Sequence, residues 1–310
     1  MKPKIYVDGE HGTTGLQILE RLNGRQDVDV LSIPHADRHS VDARCALLNE
    51  ADIAILCLPD AAAKEAAAMV EGGTARLIDA STAHRTDPNW TFGFKELDPD
   101  HAQTLAKATR VSNPGCYPTG AIALLRPLRL AGLLAADAFV TVNAVSGYTG
   151  GGKGLIAQME QADHPDAITT TQYLYGTGLS HKHVPEISRY GMLERKPIFA
   201  PSVARYPQGM VVQIPFHLDA LAASNRADVH AALADHYAAC PGDHVIVRSV
   251  EEADAVTRLE ADGFAGRDDM ELFVFGNEEQ INLVARLDNL GKGASGACVQ
   301  TLDLMVGAEA

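Results

Sequence analysis

Apolar and polar positions divide the chain into two differently patterned parts. Lys4-Ile5-Tyr6-Val7 predicts a short strand ending at Asp8-Gly9, and the spacing from Thr13 to Leu22 is helical. Val28 to Ile33 predicts a second strand. Ile53 to Leu58 is a near-continuous apolar run, as a strand covered on both faces requires. An Ala-rich helix follows from Ala61 to Val70, with Asp60 as its expected cap and Gly72-Gly73 as its stop. Leu77 to Asp79 is a fourth strand. Strands alternating with helices of this length predict a parallel sheet with helices on both faces. Beyond this part the pattern changes. Phe139 to Val145 and Met210 to His217 alternate as half-buried strands do, and Val245 to Val250 and Leu272 to Gly276 add strand signals. Asn225 to Ala239 is the clearest helix. This second part reads as α+β, a mixed sheet with helices on one side. Gly291 to Met305 is a last helical segment expected to return to the first domain. The expected domains are therefore 1–115 with 290–310, and 116–289.

Gly9, Gly12 and Gly15 follow the first strand and open the first helix. Glycines let a phosphate approach the backbone, and the free N–H groups of a helix start attract it. The spacing is GxxGxxG rather than GxGxxG, and the same glycines would also serve a plain turn. With the strand–helix alternation this predicts a Rossmann-type α/β dinucleotide domain, with Gly9, Gly12, Thr13, Thr14 and Gly15 at the phosphates. The second strand runs into Ser32-Ile-Pro-His-Ala-Asp-Arg38. Ser32, His35 and Arg38 can surround a 2′-phosphate, with Arg38 bidentate, so NADP is the expected cofactor.

Composition narrows the partners. Hydrophobic residues make up 46% and charged residues 21% of 310, the balance of a globular chain. Lys plus Arg is 26 against 40 Asp plus Glu, a net charge of −14, which argues against nucleic acid. No long apolar run suggests a signal peptide or a membrane span. Five cysteines without a CxxC pair fit neither a disulfide framework nor a zinc site, so no metal and a reducing, cytoplasmic setting are expected.

Ser112-Asn-Pro-Gly-Cys116-Tyr-Pro-Thr-Gly120 carries the sharpest chemical signal. A cysteine between constraining residues and a helix start is placed to be a thiolate, and the adjoining N–H groups can hold an oxyanion. Cys45, Cys57, Cys240 and Cys298 lie in ordinary contexts and read as structural. A nucleophile needs a proton partner. The pair His181 and His183, with Glu186 nearby, is the best candidate, and on an extended segment the two rings share a face. Ser146 to Lys153 and Asp288 to Gly296 are glycine loops suited to phosphate or nicotinamide ribose. Arg85 and Arg110 are cations for an acyl phosphate.

Together, DGEHGTTGLQI (8–18), LCLPDAAAKEA (56–66), DASTAHRT (79–86), SNPGCYPTGAIALLRPL (112–128), SGYTGGGKG (146–154), HKHVPEI (181–187) and DNLGKGASGACVQ (288–300) resemble the shorter subfamily of the N-acetyl-gamma-glutamyl-phosphate reductases. The resemblance implies an NADPH-dependent reduction of an acyl phosphate, N-acetyl-glutamyl phosphate, through a thioester on Cys116, as a step of arginine biosynthesis. It implies an acid/base in the histidine pair, His183 ahead of His181, and nicotinamide-side contacts at Ser146, Gly147 and Asn289. The expected substrate set is Arg85, Arg110, Asn113, Lys153 and Glu186. A homo-oligomer, dimer or tetramer, and inorganic phosphate as the released group are also implied. Two alternatives stand beside it: an aspartate-semialdehyde dehydrogenase, and a non-catalytic NADP-binding sensor.

Overall fold

The computed structural model describes residues 1–70 and 72–308. It divides into two compact units: Met1–Lys95, His101–Pro114 and Ala294–Ala310 form the first, Glu96–Asp100 and Gly115–Gly293 the second.

The first unit runs β1 (Lys4–Asp8), α1 (Thr13–Leu22), β2 (Asp29–Leu31), α2 (Val41–Glu50), β3 (Ile53–Leu56), α3 (Asp60–Met69), β4 (Arg76–Asp79), β5 (Thr91–Phe92), α4 (His101–Lys107) and β6 (Arg110–Ser112). The six strands are parallel throughout, in the order β2-β1-β3-β4-β6-β5. Side chains alternate across a strand, so each central strand feeds two cores. Ile5, Val7, Ile53, Ile55 and Ile78 pack on one face with Ile18 and Leu22 of α1. Tyr6, Ala54, Leu56 and Leu77 pack on the other with Leu48 of α2 and Ala66 of α3.

Asp60 does not cap α3. Pro59 takes that position, and the Asp60 carboxylate instead accepts the backbone N–H of Thr82, at 3.0 Å, and its hydroxyl. A carboxylate in the first helical turn still suits the helix dipole.

The first element of the second unit is α5 (Cys116–Leu130), which starts at Cys116 itself. It continues through β7 (Thr141–Gly147), α6 (Gly152–Glu160), β8 (Gln172–Leu174), α7 (Val184–Tyr190), β9 (Ile198–Ala204), β10 (Met210–His217), α8 (Arg226–Ala238), β11 (Val245–Val247), α9 (Val250–Ala255), β12 (Met270–Gly276) and β13 (Gln280–Leu287). The seven strands form a mixed sheet, β11-β12-β13-β10-β7-β9-β8. The segment predicted as strand to Val250 turns helical there, because Ser249 and Glu252 form a capping box that starts α9. The last helix, α10 (Gly296–Val306), buries Cys298, Leu302 and Met305 in the core of the first unit with Leu105 of α4. No helix among the described residues is long and apolar enough to cross a membrane.

One ion pair in the second unit is fully enclosed. Lys292 Nζ donates to both carboxylate oxygens of Glu96, at 2.8 and 2.7 Å, and each side chain is 1% exposed. Removing one partner strands a buried charge. Glu96→Gln should therefore destabilise the chain by about 3–5 kcal/mol, read from the urea midpoint at unchanged slope. A loss below about 1 kcal/mol would mean that water or another group compensates Lys292.

Candidate active site

In the first unit the loop after β1 is a tight glycine turn. Gly9 sits at φ +90, and a Cβ there would lie 2.4 Å from the Cys57 carbonyl oxygen at the end of β3. A Cβ on Gly15 would meet the Gly9 carbonyl oxygen at 2.5 Å. These glycines thus pack the turn directly against the ends of two neighbouring strands. Gly12 is the N-cap of α1 and its turn receives no side-chain cap. The Thr13 hydroxyl is buried with no hydrogen-bond partner among the described residues. Uncapped N–H groups and a hydroxyl in need of an acceptor fit the oxygens of a dinucleotide's phosphates. Thr14 follows in the first turn of α1. Ser32 lies just beyond β2, and Arg38 donates from Nη1 to the His35 carbonyl at 2.7 Å, which secures the short helical turn His35–Asp37.

Two residues expected at the substrate are tied up within this unit. Arg85 is buried and donates from Nε to the Asn113 carbonyl (3.0 Å) and from Nη2 to that of Ala80 (3.3 Å). Asn113 Nδ2 donates to the Ala294 carbonyl (2.9 Å), while its Oδ1 is buried without a partner among the described residues. Arg110 stacks over the Trp90 ring at 5.5 Å. Trp90 stacks in turn on His84, whose Nδ1 donates to buried Asp79 at 2.7 Å. The sequence contained no local signal for this arrangement.

The nucleophile candidate lies in the second unit. Cys116 is the first residue of α5, after Gly115 at the N-cap. The Gly115 N–H donates to Glu186 Oε1 at 2.8 Å, and the Gly115 carbonyl accepts the Thr119 hydroxyl at 2.9 Å. Glu186, expected at the substrate, is 1% exposed and accepts a hydrogen bond from the loop that leads into Cys116. It belongs to the first turn of α7, whose N-cap is His183. One short helix therefore carries both a ring and the carboxylate that anchors the loop before Cys116. On the other side, a Cβ on Gly293 would lie 2.8 Å from Cys116 Cβ, so only glycine fits there.

The histidine pair is not extended. Val184 N–H bonds the His181 carbonyl at 2.9 Å, closing a turn, and the rings meet edge to face with centroids 4.6 Å apart. His181 Nδ1 accepts the His183 N–H at 3.2 Å, which puts the neutral ring's proton on Nε2. Burial, then the charge of Lys182, holds His181 below the ordinary imidazole range.

Tyr117, Tyr175 and Phe199 complete an aromatic wall, with centroids 5.9 Å between Tyr117 and His183 and 5.5 Å between Tyr175 and His181. Burial pushes the Tyr175 phenol up to about 12, and the Cys116 charge adds to the shift. Tyr117 adjoins Cys116 in the sequence, but Tyr175 and Phe199 belong to no motif and reach the site only through β-sheet packing.

Ser146 and Gly147 end β7, where the Gly147 N–H bonds the Gly209 carbonyl at 2.9 Å. Asn289 Oδ1 accepts the Gly209 N–H (2.9 Å) and Nδ2 donates to the Thr149 hydroxyl (3.0 Å). Ser146, Gly147 and Asn289, distant in sequence, thus share one hydrogen-bonded group. Lys153 stands exposed in the first turn of α6, and no hydrogen bond ties it to this group among the described residues. Lys292, in the second glycine loop, is spent on Glu96. Among the other thiols, burial pushes Cys57 and Cys240 up to about 12 and raises Cys298 as well, which keeps them unreactive. No cluster of three metal-ligating side chains occurs among the described residues.

A parallel-sheet unit with a glycine turn after its first strand, and a mixed-sheet unit with a cysteine at a helix start, are the two parts of a semialdehyde dehydrogenase architecture. Residues 4–105 match the family described as "Semialdehyde dehydrogenase, NAD binding domain", and residues 116–289 match "Semialdehyde dehydrogenase, dimerisation domain". Aspartate semialdehyde dehydrogenase II from Vibrio cholerae shares the fold, with TM-score 0.74 over 99% of both chains at 16% identity. The enzyme from Candida albicans, solved with NADP, does so with TM-score 0.65 over 98% of both at 12% identity. The N-acetyl-gamma-glutamyl-phosphate reductases of Brucella suis and Brucella melitensis are each 58% identical over 99% of this chain and 100% of their own. The chain belongs to the N-acetyl-gamma-glutamyl-phosphate reductase family, within the semialdehyde dehydrogenases.

The contact of Gly293 with Cys116 predicts that Gly293→Ala lowers kcat by about tenfold or more, since displacement of a reacting atom by about 1 Å is enough for such a loss. An unchanged kcat would show that the loop yields freely. The folded His181 ring takes a proton less readily than the unfolded one, so stability falls as pH drops through the ordinary imidazole range. Lys182→Met removes the smaller cause and should move the His181 titration upward, followed on its ring protons by NMR. No movement would leave burial as the sole cause.

Proposed function

We propose that this chain reduces N-acetyl-L-glutamyl 5-phosphate to N-acetyl-L-glutamate 5-semialdehyde with NADPH, through a thioester on Cys116, as a step of arginine biosynthesis. The observation that carries the reading is Cys116 at the first position of α5, with the residue before it anchored by Glu186. A helix start favours the thiolate over the thiol, and its N–H groups suit the oxyanion of a tetrahedral adduct. The identity to reductases of this name supports the choice of substrate.

The Cys116 sulfur attacks the acyl carbonyl carbon, the bond from that carbon to the phosphate oxygen breaks, and inorganic phosphate leaves. The carbonyl carbon of the thioester on Cys116 would then take up the hydride that NADPH supplies when bound. His183 holds the proton that the resulting oxygen gains and gives up again as the C–S bond breaks and the aldehyde departs. His183 is favoured over His181 because the Nδ1 of His181 is committed to its own turn. Glu186 and Gly293 fix the sulfur's position from two sides, and the aromatic wall limits water around it. Gly9 to Gly15, with Thr13 and Thr14, would hold the cofactor's phosphates, and Ser32 and Arg38 its ribose end. Ser146, Gly147 and Asn289 would meet the nicotinamide side. Arg85 and Asn113 would shape the substrate's surroundings through the backbone they brace, whereas Arg110 and Lys153 would meet its charge directly. A homo-oligomer, dimer or tetramer, in the cytoplasm completes the reading, supported by the match to a dimerisation domain.

Run in reverse, NADP should be reduced by N-acetyl-glutamate semialdehyde only when inorganic phosphate is present. Cys116→Ala should lower the rate by about a thousandfold or more, and a loss of about tenfold or less would refute covalent catalysis. Aspartate semialdehyde at equal concentration should react poorly; equal rates would favour the aspartyl alternative. A non-catalytic sensor would lack a single thiol that iodoacetamide alkylates stoichiometrically and substrate protects.

A further inference from the structure

We infer that His11 and His35 select the cofactor: two imidazoles, converging from the glycine turn and from the end of β2, take the 2′-phosphate of the adenosine ribose. The inference rests on the NADP reading above and names the side chains that would enforce it.

In an open parallel sheet the nucleotide lies beyond the carboxyl ends of the strands, and the adenosine ribose comes to the end of the second strand. An NAD site carries an acid there to accept the ribose hydroxyl. Here β2 stops at Leu31, and the chain returns through the turn His35–Asp37. His35 Nδ1 comes within 3.2 Å of His11 Nε2, with ring centroids 4.9 Å apart and tilted by 64°. His11 lies between Gly9 and Gly12, within the phosphate turn itself. The pair therefore joins the glycine turn to the segment that follows β2.

The chemistry fits a phosphate better than a hydroxyl. The facing ring nitrogens share one proton, so in the neutral pair one far nitrogen carries an N–H for the phosphate, and one added proton gives it an N–H from each ring. Arg38 braces the turn through the His35 carbonyl and adds a fixed positive charge beside it. The carboxylates nearby are Glu10, 3.7 Å from His11 Nε2, and exposed Asp37. In a chain of net charge −14, a phosphate must find its donors locally.

The test measures binding alone, by calorimetry on the full chain with 2′,5′-ADP and 5′-AMP. The wild-type chain should bind 2′,5′-ADP the more tightly. The double variant His11→Asn, His35→Asn should bind 2′,5′-ADP about tenfold or more weakly, with 5′-AMP unchanged. His35→Asp should reverse the preference. If the double variant keeps its 2′,5′-ADP affinity within about twofold while the wild type discriminates, the inference falls and the NADP reading stands. If the wild type binds both alike, the NADP reading falls and the inference with it. Parallel loss of both ligands also counts against the inference, because the rings then serve the nucleotide as a whole. His11 is 45% exposed, so thermal unfolding of the variants should match the wild type.

Discussion

The hydrogen bond from the Gly115 N–H to Glu186 holds the loop that leads into Cys116 in the second unit. A buried carboxylate is costly unless it is paired or hydrogen-bonded, and a backbone N–H before a helix needs an acceptor. Each group answers the other's need. Because Glu186 stands in the first turn of α7 and His183 is that helix's N-cap residue, the same contact registers a histidine against the Cys116 loop. Gly293 closes the opposite side, where a single added carbon would collide with Cys116. The backbone that carries the sulfur is set by close packing against Gly293 and by the buried Glu186 carboxylate.

The acidity of the chain sharpens this design. A net charge of −14 offers anions no general attraction, so every phosphate contact must come from glycine turns, helix starts and a few cations. Several of the cations serve the protein's own architecture. Lys292 neutralises Glu96, Arg44 makes a bidentate bond to buried Asp8, and Arg85 braces the carbonyls of Ala80 and Asn113. Burial also sorts the cysteines, raising the thiols of Cys57, Cys240 and Cys298, whereas Cys116 heads a helix.

The sequence by itself determined the elements whose signals are local. The apolar runs of β1 and β3, the helix from Thr13 to Leu22, the strand from Met210 to His217 and the glycine turn were all legible, because strand alternation, helical spacing and glycine chemistry act over a few residues. Cys116 was legible for the same reason, standing between Pro-Gly and an apolar helix. Where neighbours compete, local reading failed. Asp60 reached Thr82 rather than its own helix, and the capping box at Ser249 overrode a strand pattern. Only the tertiary structure decided who meets whom: Glu186 with Gly115 across 71 residues, Asn289 with Thr149 across 140, and Lys292 with Glu96 across 196. Such pairings depend on how sheets and helices stack, and a side chain's type does not encode which of many distant partners packing will bring to it.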